Sequence, residues 1–329
     1  MTVSVLRARI DELDARVAEL LRERAELSAL AQREKTAAGL PALDPEREAA
    51  IVSASSFPAV AAEVLRASRA AAARGTPAAT PPGRVLGGGF HVVAGPCSAE
   101  DPEQLDQVGE RLVALGVRHM RAGAWKPRTR RSSFQGHGAE AVRWMREVCD
   151  RRGLRLWTEV RDLANIADLE GLADVVWVGA RNCQAFELLD AVGRAFPRVV
   201  LKRGAGVTVE EWVAAAEYVS AGGAAVALCE RGVRSFDPSF RNTLDLAGAV
   251  WARRMSGLEV IVDVSHSTGL PALAAPMAAA TAAAGLDGVM AEAHPRPRES
   301  VTDADQALSL DELAELVARS RAVLSAHAG

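Results

Sequence analysis

The chain begins with a helical pattern of apolar positions. Aliphatic side chains recur mostly at spacings of three, four or seven residues, with charged residues between them, at Leu6, Ile10, Leu13, Val17, Leu20, Leu27 and Leu30. This period predicts one amphipathic helix from Val3 to about Ala37, roughly 50 Å long at ~1.5 Å per residue. So long a helix cannot bury its apolar stripe alone, and we expect it to pack on later helices or on a second copy of the chain.

Shorter helices and a linker follow. Asp44-Pro45-Glu46 combines an N-cap residue with a proline at the first helical position, and it predicts a second helix from Glu46 to about Ser53. A third helix fits Pro58 to Ala73. The Pro-, Gly- and Thr-rich residues 74–89 predict a linker, and a short hairpin over 84–90 is a further expectation.

From Phe90 onward, short apolar runs alternate with helix-like segments. Eight runs are typical of strands buried on both faces: HVVAGP, VRHMRAGA, RLWTEV, DVVWVGA, RVVLKRG, VALCERG, EVIVDVSH and GVMAEAH. Eight β/α units in this length match a (β/α)8 TIM barrel. A doubly wound open sheet is the alternative, but it would want a Gly-rich phosphate turn after the first strand, and neither GxGxxG nor GxxxxGK[ST] occurs there.

The predicted fold class is therefore α/β, a TIM barrel preceded by a small all-α domain. The predicted boundaries are 1–73 for the helical domain, 74–89 for the linker and 90–329 for the barrel. The carboxyl ends of all eight strands in such a barrel open into one mouth, where active sites are built. Each predicted strand is followed there by polar or ionisable groups: Cys97, then Arg121 with Lys126 and Arg128, then Glu159, Arg181, Lys202, Arg231, His266, and Glu292 with Asp303.

These groups form two chemical sets. The cations Arg121, Lys126, Arg181, Lys202 and Arg231 favour a small polyanionic substrate carrying phosphate and carboxylate, which arginine binds in bidentate geometry. The second set, Cys97, His266, Glu292 and Asp303, suits a divalent metal ion such as Mn, Fe, Co or Zn, acting as a Lewis acid on a carbonyl oxygen. In the structural alternative, Cys97 and His266 are core residues and Glu292 pairs with an arginine.

Composition excludes several classes of partner. The 39 basic and 42 acidic residues give a net charge of −3 and no basic stripe, so we expect no nucleic-acid partner. The start of the chain lacks a signal-peptide pattern, and the weakly polar run from Leu270 to Leu286 is too short and too mild for a membrane span. The four cysteines form no CxxC pair, which indicates a reducing cytoplasm. Only Lys35, Lys126 and Lys202 are lysines.

The motifs resemble those of the 3-deoxy-D-arabino-heptulosonate 7-phosphate (DAHP) synthases of the shorter microbial subtype, over about residues 84–325. They are GPCS (95–98), RAGAWKPRT (121–129), GARN (179–182), LKRG (201–204), LCERGVRSF (228–236), RNTLDL (241–246), VDVSHSTG (262–269), and AEAHP (291–295) with Asp303 and Gln306 behind it. The resemblance implies an aldol-like condensation of phosphoenolpyruvate with erythrose 4-phosphate, the entry step of the shikimate pathway.

The resemblance also implies a role for each matched residue. It gives Cys97, His266, Glu292 and Asp303 as metal ligands, and Arg121, Lys126, Arg181, Lys202 and Arg231 as phosphoenolpyruvate ligands. It implies that Arg128 and Thr129 bind the phosphate of the aldehyde substrate. Lys126 is the best candidate for moving protons, and we expect crowding by Arg121 and Arg128 to lower its pKa.

The sequence departs from the family pattern at a few positions. Arg130-Arg131 follow Thr129 where the family has Ser, which leaves open a paralogue that uses another phosphorylated aldose. Val264 stands where the family has Pro, and we expect it to be tolerated. Cys183 follows the GARN motif, and we interpret it as a small buried core residue.

The N-terminal helices resemble the all-helical chorismate mutases, whose long first helix lies across a dimer. The matching positions are Arg7, Arg24, Lys35, Asp44, Arg47 and Glu48. Ala72 stands where that family has Gln, so we predict weak mutase activity or none. The domain would then serve dimerisation or the sensing of chorismate or prephenate, in a homo-oligomer that is a dimer or a tetramer. A mainly regulatory partner of a separate mutase is the remaining alternative.

Overall fold

The structure is a computed structural model that describes residues 3–37, 45–61, 64–65, 83–126, 132 and 134–327. The chain divides into two compact units, Met1–Thr80 and Pro81–Gly329. This division falls within the predicted linker, while the domain boundaries at residues 73 and 90 stay a prediction.

The first unit is helical. Helix α1 runs over Val3–Ala37 and α2 over Pro45–Ala54, and residues 58–61 and 64–65 are again helical. The single long helix expected from the apolar period is therefore present. Its apolar stripe is exposed in the described structure: the seven residues that define the period are between 44% and 60% exposed.

The second unit is a closed barrel of eight parallel strands in chain order, as the sequence predicts. The last strand closes the barrel by pairing with the first, with Gly95 opposite Glu292 at the carboxyl end. The strands are β1 (His91–Gly95), β2 (His119–Arg121), β3 (Arg155–Val160), β4 (Val175–Val178), β5 (Arg198–Lys202), β6 (Ala225–Glu230), β7 (Glu259–Asp263) and β8 (Gly288–Glu292).

Helices surround the barrel: α3 (Pro102–Ala114), α4 (Ala139–Arg152), α5 (Ile166–Leu169), α6 (Phe186–Ala195), α7 (Val209–Ala221), α8 (Leu246–Ser256), α9 (Val264–Thr268), α10 (Pro271–Ala283) and α11 (Leu310–His327). The local sequence determines where several of these helices begin. Asp101 caps α3 ahead of a proline, and Thr208 forms a capping box with Glu211 at α7. Among the described helices, none is both long and apolar enough to cross a membrane.

Two apolar layers hold the barrel together. The interior is filled from the strands by large side chains, including Trp157 and Trp177, at most 2% exposed. The layer between strands and helices is built from residues such as Leu105 and Trp212, both fully buried. Cys183 is 1% exposed, which confirms its interpretation as a core residue.

The expected hairpin over 84–90 is wrong, because residues 83–90 contain no strand. The segment closes the floor of the barrel instead. Val85 and Leu86 are buried among the interior residues, and the backbone N–H of Leu86 donates to the carboxylate of Glu259 at 3.0 Å rather than to a partner strand. Arg84 forms ion pairs with Glu259 at 3.1 Å and with Asp287 at 3.4 Å. Three glycines at 87–89 have φ between 81° and 92°, a conformation that interrupts extended pairing.

A chain of hydrogen-bonded rings also lies at the floor. Trp157 Nε1 donates to Nδ1 of His119 at 3.0 Å, so the proton of neutral His119 is on Nε2, which faces Nδ1 of His91 at 3.3 Å. Nε2 of His91 in turn lies 2.7 Å from the carbonyl oxygen of Gly88. Burial, His91 and Arg155 lower the pKa of His119 to about 4, so the ring is neutral at physiological pH.

We expect the barrel to lose stability between pH 7.5 and pH 5. His119 has a pKa of about 4 when folded, against 6.5 for the ordinary side chain, so the unfolded chain takes up this proton first. Its stabilisation is present above pH 6.5 and is lost as the pH falls toward 4, by about 2 kcal/mol at pH 5. Urea unfolding followed by tryptophan fluorescence at both pH values measures this loss. His119→Gln should remove that part of the pH dependence, whereas His327→Gln, on the exposed end of α11, should keep it. An equal loss in wild type and His119→Gln would contradict the prediction.

Candidate active site

A cavity of about 1020 Å³ opens at the carboxyl ends of the strands. Eight of the strand-end residues that sequence reasoning singled out line it: Arg121, Lys126, Glu159, Arg181, Lys202, Arg231, His266 and Asp303. Cys97 and Glu292 lie against this wall, 3% and 0% exposed, in contact with Lys126 and Arg121. The barrel therefore brings the two predicted sets of side chains to one place.

The thiol, imidazole and carboxylates converge at one side of the cavity. The ligand atoms of Cys97, Glu292 and Asp303 all lie within 4.8 Å of one another. Nε2 of His266 is 3.5 Å from Glu292 Oε1 and 3.8 Å from Asp303 Oδ2. Asp303 is also the one non-glycine residue of the described chain with positive φ, at 48°, a conformation that costs energy and clusters at functional sites. This donor set fits a divalent cation.

The electrostatics of this cluster favour the binding of a cation. Burial and the charge of Glu292 raise the pKa of the Cys97 thiol to about 12. Burial alone would raise the pKa of Glu292, but His266 and Arg121 outweigh it and hold that pKa below its usual range. A buried thiol of this kind becomes a thiolate when a metal ion binds it.

The part of the cavity wall next to this cluster is cationic. Arg121 is 1% exposed and donates to Glu292 at 2.8 Å, while its Nε has no hydrogen-bond partner among the described residues. Lys202 donates to Asp263 at 2.6 Å. Both cations lie over the ring of Trp177, 5.0 Å and 5.2 Å from its centroid, which stabilises them away from water. Glu292 does pair with an arginine, as the structural alternative held, and the same carboxylate also faces the metal-type cluster.

Comparison with known proteins gives the family. The sequence profile described as the DAHP synthetase I family matches residues 77–324, three quarters of the chain. The chain belongs to the DAHP synthetase I family. A second profile, chorismate mutase type II, matches residues 6–63 and confirms the resemblance of the N-terminal helices.

Individual relatives agree with this membership. The phospho-2-dehydro-3-deoxyheptonate aldolase of Thermotoga maritima is 39% identical over 235 residues, 71% of this chain and 70% of that protein. The crystal structure of a DAHP synthase from the same organism superposes with a TM-score of 0.71 at 38% identity, over 73% of this chain and 71% of that one. A 2-dehydro-3-deoxyphosphooctonate aldolase of Nitratidesulfovibrio vulgaris is 28% identical over 253 residues, 71% of this chain and 92% of that protein. A member of the DAHP synthetase I family with these relatives is an enzyme, a DAHP synthase transferase.

One expectation about this DAHP synthetase I site is wrong. We expected crowding by arginine to lower the pKa of Lys126, and in the structure that pKa is raised. Burial and Arg121 act to lower it, but the interactions of the ammonium with Cys97 and with the negative charge of Glu292 outweigh them. Nζ of Lys126 lies 3.0 Å from Cys97 Sγ. Lys126 is therefore an ammonium, a group that can donate a proton before it accepts one.

Several cavity residues escaped the sequence reasoning. Arg241 stands in the RNTLDL motif without an assigned role, yet it hydrogen-bonds Gln306 and lies 3.6 Å from Asp303. Gln306 donates to Oε2 of Glu292, so this pair steadies two carboxylates of the cluster. The cavity wall also includes Arg161, Trp177, Arg234 and Asn242. Their signal in the sequence was proximity to a quoted motif.

Five residues that the sequence analysis discussed lie outside the described part of the chain: Asp44, Arg128, Thr129, Arg130 and Arg131. In the first unit, Arg7, Arg24 and Lys35 lie on α1, and Arg47 and Glu48 lie on α2.

Proposed function

We propose that the barrel catalyses the metal-dependent condensation of phosphoenolpyruvate with erythrose 4-phosphate, giving DAHP and inorganic phosphate. The observation that carries this proposal is the contact between the two chemical sets: Lys126 of the cationic wall lies 3.0 Å from Cys97 of the metal-type cluster. Membership of the DAHP synthetase I family and the Thermotoga relative support the same reaction.

The cationic wall is assigned to phosphoenolpyruvate. This substrate carries a phosphate and a carboxylate, both of which arginine binds in bidentate geometry. The unpartnered Nε of buried Arg121 supports a ligand in this wall. Holding both anionic groups fixes the direction of carbon 3, which supplies much of the orientation that the reaction needs. The assigned ligands are Arg121, Lys126, Arg181, Lys202 and Arg231.

The second cluster is assigned to a divalent cation, Mn, Fe, Co or Zn. Its ligands would be Cys97, His266, Glu292 and Asp303. When bound, such an ion supplies a Lewis acid for the carbonyl group of the aldehyde. Because carboxylate oxygens are hard ligands, the two carboxylates argue against a site that is selective for soft metal ions.

Proton transfer is assigned to Lys126. Carbon 3 of phosphoenolpyruvate forms a bond to the aldehyde carbon, and water adds at carbon 2 with loss of one proton. The carbon 2 to oxygen bond of the phosphate ester then breaks as the new hydroxyl becomes a carbonyl, and its proton leaves with the phosphate. The aldehyde oxygen needs a proton as the first bond forms. Lys126 is buried and held as an ammonium beside Cys97, so it suits this donation.

Phosphate release is the direct test of the reaction. We expect release that depends on both phosphoenolpyruvate and erythrose 4-phosphate, stops with EDTA and returns with Mn²⁺. No phosphate release with erythrose 4-phosphate, together with release with another phosphorylated aldose, would favour the paralogue suggested by Arg130 and Arg131. No release with any aldehyde, in folded protein that holds metal, would overturn the proposal.

For the first unit, we propose a regulatory ligand, chorismate or prephenate, and a homo-oligomer. Arg7 and Lys35 are 28 residues apart on one continuous helix, about 42 Å at ~1.5 Å per residue. They cannot meet around one small molecule within a chain, so a site that uses both needs a second copy. The exposed apolar stripe of α1 supports such an assembly. The absence of a mutase-type Gln or Glu between Arg66 and Arg84 supports weak mutase activity or none.

We expect prephenate to bind the full-length protein and to bind the Arg24→Gln, Lys35→Gln double variant at least tenfold more weakly. Each substitution removes a charge-assisted hydrogen bond to a carboxylate or to the ether oxygen, and a bond of this kind contributes more than about 1 kcal/mol. Isothermal titration calorimetry measures both Kd values. Arg9→Gln, which loses only the exposed pair with Glu12, is the matched control. Equal Kd values in all three proteins would contradict the sensor assignment, and a rate change in an added stand-alone mutase would favour the partner alternative.

A further inference from the structure

Asp263 is a buried carboxylate between the two halves of the cavity. It ends β7, is 0% exposed, and caps α9 by accepting the backbone N–H of His266 on Oδ1 at 2.9 Å. Its other oxygen, Oδ2, accepts from Nδ1 of His266 at 2.9 Å and from Nζ of Lys202 at 2.6 Å. One oxygen atom therefore binds a residue of the cationic wall and a residue of the metal-type cluster.

The contact to His266 fixes which ring nitrogen faces the cluster. A carboxylate accepts hydrogen bonds only, so Nδ1 of His266 carries a proton. Nε2 is then the nitrogen left to ligate a cation, and it is the atom that points at Glu292 and Asp303. Carboxylate partners of this kind orient ligating histidines and raise their basicity.

The contact to Lys202 competes for the same oxygen. When the ammonium of Lys202 turns toward an anion in the cavity, more of the negative charge of Oδ2 is left for Nδ1 of His266, and Nε2 becomes a stronger ligand. Conversely, a cation on Nε2 strengthens the bond from Nδ1 to Oδ2 and loosens the hold on Lys202. Each event favours the other.

We propose that Asp263 is a positioning residue that couples the binding of phosphoenolpyruvate at Lys202 to the binding of the metal ion at His266. This inference rests on the proposed function of the two clusters. It gives the coupling a defined atom, Oδ2, and a defined sign: each ligand tightens the other. By linkage the two effects are equal in size, so either ligand can be used to measure them.

The first experiment measures the Kd of Mn²⁺ by electron paramagnetic resonance of the free ion, in EDTA-treated full-length protein with and without phosphoenolpyruvate. In wild type we expect phosphoenolpyruvate to tighten Mn²⁺ by about tenfold. In Asp263→Asn we expect the Kd without phosphoenolpyruvate to weaken by about 10- to 100-fold and the tightening to fall below about twofold. Asp174→Asn is the matched control, because Asp174 also accepts from a cation and a backbone N–H, those of Arg146 and Leu156.

A second variant should tighten Mn²⁺ binding, whereas damage to the fold would weaken it. Lys202→Met leaves Oδ2 entirely to His266, so Mn²⁺ should bind about threefold to tenfold more tightly without phosphoenolpyruvate. Arg181→Met removes a cation from the same cavity without touching Asp263 and should change the Kd less. A Lys202→Met protein that binds Mn²⁺ no better than Arg181→Met would overturn the proposal.

Equal tightening by phosphoenolpyruvate in wild type and Asp263→Asn would overturn the coupling alone. Failure of wild type to bind Mn²⁺ or phosphoenolpyruvate would instead overturn the proposed function.

Discussion

Cys97→Ala should lower metal-dependent phosphate release by about 10³-fold or more. The substitution removes one of the four proposed ligands and the charge that its thiolate would carry. A metal ion acting as a Lewis acid contributes several kcal/mol, at about 1.4 kcal/mol for each tenfold in rate. The variant should also release its Mn²⁺ to a weak chelator that leaves wild type loaded. Turnover is measured as phosphate release with phosphoenolpyruvate and erythrose 4-phosphate.

The control for this variant is another buried cysteine. Cys149 is 0% exposed on α4, among the core residues and outside the lining of the cavity. Cys149→Ala should therefore keep its activity and its metal while losing some stability. A Cys97→Ala protein that keeps activity within tenfold of Cys149→Ala would remove Cys97 from the ligand set.

Lys126→Met should lower kcat by about 10³-fold and leave metal binding intact or tighter. Loss of a positioned proton donor costs about 10²- to 10⁴-fold. The ammonium lies 3.0 Å from Cys97 Sγ, so its removal also takes a positive charge away from the metal ligands. The two variants thus separate chemistry from metal retention: Cys97→Ala loses both, and Lys126→Met loses only turnover.

Single-turnover phosphate release and Mn²⁺ binding measure the two effects of Lys126→Met. Arg151→Met, which removes an exposed pair with Asp106 at the end of α4, is the control and should match wild type in both. Unchanged kcat in Lys126→Met would show that the proton comes from another group, and weakened Mn²⁺ binding would show that Lys126 supports the cluster itself.

The fold could be predicted from the sequence because its signals are long or repeated. A run such as DVVWVGA is apolar throughout, as strands covered on both faces must be, and eight such runs leave few architectures. The helix over Val3–Ala37 has a sustained period. The hairpin over 84–90 failed because a local pattern cannot show that Glu259, far along the chain, takes the N–H of Leu86.

For the site, the sequence predicted which residues lie at the ends of the strands, but not the contacts between them. Position at a carboxyl end indicates that Cys97 and His266 share a mouth, but it does not show which oxygen contacts which nitrogen. The pKa of Lys126 depended on the balance of burial, Arg121, Cys97 and Glu292, and adjacency in sequence displayed only its arginine neighbours. Asp263 was hidden for the same reason, since its contact with Lys202 joins the end of β7 to β5, 61 residues away in the sequence.

The segment at the floor gives the barrel a mechanical property. Arg84 and Leu86 are bonded to Glu259, the first residue of β7, and Arg84 to Asp287, the residue before β8. Those same two strands lead at their far ends to His266 and Glu292. Each strand has five residues and is about 16 Å long at ~3.3 Å per residue. A displacement of residues 84–86 would therefore act on the amino ends of two stiff, hydrogen-bonded strands, whose carboxyl ends lead to two of the proposed metal ligands.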